Sequence, residues 1–188
     1  MRRPYVTIAA LLLAATPLAA QRAVVFTLNA GGADHLADLQ KSPPSWFMPG
    51  YSVGASVGMQ ITRTFAVHGD FTFTRNPVHG TGGIAGGDIN RFFYGAHAEF
   101  SYPMRDVTPF VFAGGGAVSI DQLGLDTFSP TTKPAVMYGA GVFVKLPRTP
   151  FSLMGEIKGL TYNWNMAGFD RNMVDVTYTA GLSYSLPF

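Results

Sequence analysis

Val176-Thr177-Tyr178-Thr179-Ala180-Gly181-Leu182-Ser183-Tyr184-Ser185-Leu186-Pro187-Phe188 sets Val176, Tyr178, Ala180, Leu182, Tyr184, Leu186 and Phe188 in alternation with Thr177, Thr179, Gly181, Ser183 and Ser185. A period of two is the signature of a β-strand, because consecutive side chains leave the backbone on opposite faces. One face is therefore a tall apolar stripe and the other carries hydroxyls and glycine. Such a strand must separate two different media.

The same rule recurs upstream. Tyr51, Val53, Ala55, Val57, Met59 and Ile61 alternate with Ser52, Gly54, Ser56, Gly58 and Gln60. Val67, Gly69, Phe71 and Phe73 oppose Ala66, His68, Asp70, Thr72 and Thr74, and Tyr94, Ala96, Ala98, Phe100 and Tyr102 oppose Phe93, Gly95, His97, Glu99 and Ser101. Leu153, Ile157 and Thr161 oppose Glu156, Lys158 and Tyr162, with Met154 and Leu160 interrupting the polar side. Residues 24–31, 107–119 and 133–146 complete a predicted set of eight strands. The run Phe110-Val111-Phe112-Ala113-Gly114-Gly115-Gly116 leaves the facing of its own strand open.

The connections alternate in length. Thr62-Arg63-Thr64, Pro103-Met104-Arg105-Asp106 and Pro147-Arg148-Thr149-Pro150 read as tight turns. The other four, residues 32–49, 76–88, 120–132 and 163–172, are long and rich in Gly, Pro, Asp and Asn. An even number of antiparallel strands with short turns on one rim and long loops on the other is the pattern of a transmembrane barrel, its turns facing the periplasm. A soluble eight-stranded barrel keeps apolar residues inside and polar ones toward water. Here the large apolar face is expected to look outward into lipid, with small and polar side chains filling a narrow lumen. Closure satisfies every backbone hydrogen bond without water.

Composition agrees. Of 188 residues 47% are hydrophobic but only 13% are charged, against about 25% in ordinary soluble chains, and there are 22 Gly, 15 Phe and no Cys. Disulfide scaffolds and thiolate metal sites are excluded. Met1-Arg2-Arg3, the apolar stretch 8–15 and Pro17-Leu18-Ala19-Ala20-Gln21 read as a signal peptide over residues 1–20, with a barrel domain over 21–188. Removing Arg2 and Arg3 lowers Lys+Arg from 13 to 11, equal to the 11 Asp+Glu, so the mature chain is formally neutral. No nucleic-acid partner is expected.

The terminal alternating strand ending in Phe188 resembles the assembly signal of bacterial outer-membrane barrels. Val107-Thr108-Pro109-Phe110-Val111-Phe112-Ala113-Gly114-Gly115-Gly116 is similar to the Pro-aromatic-Gly strand of the small OmpA-like and OmpX-like barrels. The resemblance implies an all-β, eight-stranded, antiparallel up-and-down barrel in the bacterial outer membrane, with both mature termini periplasmic. It implies recognition by the barrel-insertion machinery through Tyr184, Leu186 and Phe188, and contact with membrane lipid and lipopolysaccharide. With no sequence after Phe188, tethering by the peptidoglycan-binding domain that follows the OmpA barrel is not expected. A monomer is expected.

The inward faces carry the titratable groups. His68, Asp70, His97, Glu99, Glu156 and Lys158, with Lys145 and Arg91 as further candidates, are expected to form a buried network in which each charge finds a partner. A metal or hydrolytic site made by His68, Asp70, His97 and Glu99 is the sharper alternative. It is set aside because a crowded lumen offers no evident substrate path. No catalytic residue, cofactor or metal ligand is assigned, and no enzymatic activity is expected.

Some small barrels modify lipid A, and the deacylase class uses a His-x-Ser motif. His35, His68, His79 and His97 are followed two positions on by Ala37, Asp70, Thr81 and Glu99. His35 is read as a solvated loop residue, and Asp34, Asp38, Asp88, Asp121, Asp126, Asp170 and Asp175 as solubilising charges in or near loops. Trp46, Trp164, Tyr51, Tyr138 and Tyr162 fit an interfacial aromatic belt, with loop recognition as the alternative for the two tryptophans. Gly82, Gly83, Gly86 and Gly87 lack the lysine and helix that a phosphate cradle requires. The expected role is structural, envelope-stabilising or adhesive through the loops, with a lipid A-modifying enzyme as the alternative.

Overall fold

The computed structural model describes residues 23–36, 40–41, 44–79, 87–123, 131–166 and 169–187. The signal-peptide segment, the glycine-rich stretch apart from Gly87, and Asp38, Asp126 and Phe188 lie outside them. Ten strands follow one another: β1 Ala23–His35, β2 Gln40–Lys41, β3 Pro44–Phe47, β4 Gly50–Gln60, β5 Phe65–His79, β6 Gly87–Ser101, β7 Val107–Leu123, β8 Thr131–Lys145, β9 Phe151–Met166 and β10 Phe169–Pro187. Eight of them, β1 and β4–β10, close a barrel in the order β5-β4-β1-β10-β9-β8-β7-β6, shut by the β5–β6 pairing. Every pairing is antiparallel.

Two differences from the sequence reading concern length. The short strands β2 and β3 fall in the first long connection, and Trp46 and Phe47 of β3 pair with His79 and Val78 of β5. The long strands also run several residues beyond their apolar alternation: β9 reaches Met166 and β10 begins at Phe169 where a loop over 163–172 is expected. Asn, Asp and Gly are weak strand formers alone, but a ladder already aligned by its neighbours extends into them.

The outer surface is the apolar girdle expected. Leu28 is 68% exposed and Ile157 61%, and Val57, Phe71, Tyr94, Val136, Leu153 and Leu182 also point outward. Among the described residues no helix is long and apolar enough to cross a membrane. The seam between the first and last strands pairs Ala23 with Pro187 and continues to His35 with Asp175.

The lumen departs from expectation. One wall, formed by β1, β4, β5 and β10, is polar, with Thr27, Ser52, Thr72, Thr74, Thr177 and Thr179. The facing wall is mainly apolar, with Phe93 from β6, Phe110, Phe112, Val118 and Ile120 from β7, Met137 from β8, and Met154 and Leu160 from β9, and with Arg91, His97 and Glu99 of β6 and Lys158 of β9 buried among them. Large rings fit because glycines face them. Phe112 pairs with Gly139 and Phe110 with Gly141 across β7 and β8, and a Cβ at either glycine would overlap the facing ring. The open question of β7 is thereby answered, with Phe110, Phe112, Gly114 and Gly116 inward and Val111, Ala113 and Gly115 outward. Met154 and Leu160, which interrupt the polar pattern of β9, belong to this apolar wall.

Candidate functional site: the barrel lumen

Antiparallel register decides which inward side chains meet. His68 of β5 pairs directly with His97 of β6, and their rings stack with centroids 5.0 Å apart and planes 8° from parallel. The row continues through two glycines, Gly58 of β4 beside His68 and Gly114 of β7 beside His97. A side chain at either glycine would collide with the neighbouring histidine, so the glycines make the slot. Glu99, one inward position nearer the short turns, puts Oε2 3.8 Å from His68 Nε2. The Phe112 ring lies 4.8 Å from His97 and forms the apolar side.

From β9 comes the counter-charge. Lys158 Nζ donates to both Asp70 carboxylate oxygens at 3.1 and 3.0 Å and to Thr72 Oγ1 at 3.1 Å. Thr72 Oγ1 in turn donates to Asp70 at 2.8 Å, and Glu156 Oε1 stands 3.4 Å from Lys158 Nζ. In an eight-stranded ring β5 and β9 are four strands apart in either direction, so the Lys158–Asp70 pair spans the lumen. Lys158 is only 2% exposed, so this pair sits where water screens it least.

All six of the expected network residues, His68, Asp70, His97, Glu99, Glu156 and Lys158, thus occupy one buried compartment. The two further candidates do not join it. Lys145 is exposed at the end of β8, and Arg91 lies nearer the long loops at the centre of a second cluster that the sequence reading missed.

In that second cluster Asp175 of β10 accepts from Arg91 Nη1 at 3.2 Å, from Tyr162 OH at 3.2 Å and from His35 Nδ1. Arg91 also donates to Thr74 Oγ1 at 3.3 Å and to Asn76 Oδ1, while Asn76 Nδ2 donates to the carbonyls of Ala33 and Met48 at 2.9 and 3.0 Å. Five strands, β1, β5, β6, β9 and β10, are tied together at the long-loop end. Three assignments are corrected. Asp175, 2% exposed, is a buried acceptor and not a solubilising loop charge; Tyr162, 2% exposed, is a lumen residue and not part of an interfacial belt. The His35 side chain is wholly buried on the same network, not solvated. The cause is common to Asp175 and His35: β1 and β10 stay in register up to the His35–Asp175 pair, past the point where the sequence reading ends them.

Other expectations are met in part. Tyr51 and Tyr138 are exposed on the outer face, whereas the side chains of Trp46, Trp164 and Asp170 lie outside what the structure describes. Asp34 accepts from Tyr178 OH at 2.8 Å, and Asp88 pairs with Arg75 on the rim. Of the C-terminal residues, Leu186 is exposed and Tyr184 is half-buried with its ring 5.2 Å from that of Phe151.

Free space in the lumen is small. A cavity of ≈ 10 Å³ separates the histidine pair from Glu156 and Phe110, room for about one water molecule. A larger one of ≈ 160 Å³ occupies the short-turn end, lined by Gln60, His68, Glu99, Ser101, Thr108 and Ser152 among others. The arrangement can hold buried charge and admit a small ion from one end.

No protein-family model matches the chain, and no curated protein is significantly similar to it in sequence. Solved structures are similar in fold. Neisserial surface protein A is 18% identical with a TM-score of 0.57, the match covering 87% of this chain and 96% of that one. OprG from Pseudomonas aeruginosa is 14% identical with a TM-score of 0.55, covering 89% and 96%. Ail of Yersinia pestis, in complex with the heparin analogue sucrose octasulfate, is 15% identical with a TM-score of 0.54, covering 88% and 98%. The fold is that of the small bacterial outer-membrane β-barrels.

Proposed function

We propose, with the outer-membrane barrel fold as premise, that the chain is an integral outer-membrane protein whose role is structural, envelope-stabilising or adhesive, exercised through its long loops. In this reading the ends of the barrel strands Ala23 and Pro187, and the short turns, face the periplasm, and the long loops face outward. The observation that carries it is the lumen itself. Lys158 and Asp70 bridge it across its diameter, and Arg91 with Asp175, Tyr162 and Asn76 closes the long-loop end. A barrel locked in this way is a rigid post for its loops, and recognition concentrates on loops held by such scaffolds. That Ail was crystallised with a heparin analogue supports looking for a surface-glycan contact first.

The apolar girdle supports envelope and lipid partners, and the alternating terminal sequence supports assembly through Tyr184, Leu186 and Phe188. Matched cells with and without the protein test the reading. The expected result is an unchanged lipid A mass spectrum together with a loss of surface adhesion or detergent resistance on deleting residues 80–86 or 124–130. A shift of lipid A mass by one acyl chain overturns it in favour of a lipid A-modifying enzyme.

A further inference from the structure

We propose that His68, His97 and Glu99 form a binding site for one divalent transition-metal ion of the zinc class, entered from the short-turn end of the barrel. Each of the three offers a ligand atom, and these atoms lie within 4.8 Å of one another. All three residues are more than nine-tenths buried, at 4%, 6% and 6% exposure. His68 Nε2 and His97 Nδ1 have no hydrogen-bond partner. Two imidazoles and a carboxylate are a donor set suited to borderline-soft first-row ions, and a carboxylate of this kind with two histidines is a known zinc ligand set.

Charge balance points the same way. Asp70, Glu99 and Glu156 share the compartment with Lys158 as its ammonium, so with neutral histidines three carboxylates face one positive charge and two formal negative charges are left over. Buried charge of that size is not tolerated uncompensated. Either two protons or one divalent cation neutralises it. Arg91 does not contribute, being committed to Asp175.

The site has walls and an entrance. Gly58 and Gly114 hold the two rings from either side, Phe112 shields His97, and the ≈ 160 Å³ cavity reaches His68 and Glu99 past Gln60, Ser101, Thr108 and Ser152. This is the path whose absence argues, at the level of sequence, against a metal. Ligand atoms around a tetrahedral zinc lie roughly 3.3 Å apart, so loading draws the three groups together by about an ångström. The rings must also turn out of their parallel stack, since parallel rings aim their lone pairs side by side.

The test uses the folded protein purified in detergent and stripped with chelator. Zinc uptake by titration calorimetry is expected to reach one ion per chain, with affinity falling about tenfold or more in His97→Gln and His68→Gln. Amide spectra of the wild-type barrel with Co²⁺ are expected to lose the signals of Gly58, His68, His97 and Gly114 first, a readout that stands even where a variant fails to fold. Absence of stoichiometric uptake, signal loss confined to the long loops, or wild-type affinity retained in folded His97→Gln and His68→Gln overturns the proposal and leaves protons as the balancing charge.

Discussion

Lys158 reaches across the lumen, and its ammonium is held by Asp70, Thr72 and Glu156 with almost no access to water. Replacing it with methionine keeps the stem but strands two carboxylates. Removing one partner of a buried pair costs about 3–5 kcal/mol, so urea unfolding of Lys158→Met in lipid vesicles is expected to show a loss of that order. The double variant Lys158→Met with Asp70→Leu is expected to recover part of it, and a single variant as stable as the wild type would refute the bridging role. At this scale the six compartment residues were legible because they sit at alternate positions between outward apolar neighbours. Tyr162 was legible on the face of Glu156 and Lys158 but not in the second cluster; His35, Asn76 and Asp175 were not legible. Each lies near a strand end in a stretch rich in Asn, Asp and Gly, where composition reads as loop and the continuing parity goes unnoticed. For Asp175 the signal was present, since it shares the face of Thr177 and Thr179.

Strands β7 and β8 show how an element can hide its orientation. Glycine contributes nothing to a hydrophobic pattern, so a run in which Phe110 and Phe112 alternate with Val111 and Ala113 before Gly114-Gly115-Gly116 is apolar on both faces. Only the partner strand decides, because Gly139 and Gly141 leave the space that the two phenyl rings enter. Adding one methyl there should be felt. Overpacking a well-filled core costs about 1–3 kcal/mol, and Gly139→Ala is expected to lower stability by that much, measured by the urea midpoint. Part of the deficit comes from the Ile157 carbonyl, which the new Cβ would also crowd. Combining it with Phe112→Leu is therefore expected to restore only a portion, and a neutral Gly139→Ala would show that the ring does not occupy the slot.

For the whole molecule, the strand count of the barrel, its antiparallel order and the alternation of short and long connections were all readable from period and punctuation, because a strand that faces lipid must obey the period of two along its full height. The division of the lumen into a polar and an apolar wall was not, since it depends on which strands stand opposite one another after closure. That closure has a functional reading. Eight strands leave an interior filled by side chains, and two ionic crossings interrupt it, so planar-bilayer recordings of the wild-type protein are expected to show no open-pore steps. Discrete porin-like openings would contradict the plugged lumen. The apolar wall has a further consequence, for the order of events in assembly. Its members come from β6 to β9, hairpin neighbours in the chain, with Met173 of β10 as the addition, whereas the seam joins β1 to β10, the most distant strands of all. Loop-closure entropy favours the contacts of short sequence separation. The glycine-slotted phenylalanine wall is thus the natural nucleus, so Phe112→Leu is expected to slow folding and Thr27→Ala, at the seam, to speed unfolding instead, as stopped-flow kinetics in lipid would register. The polar side of the lumen, with the charges that lock it, is then sealed only when the first strand finds the last.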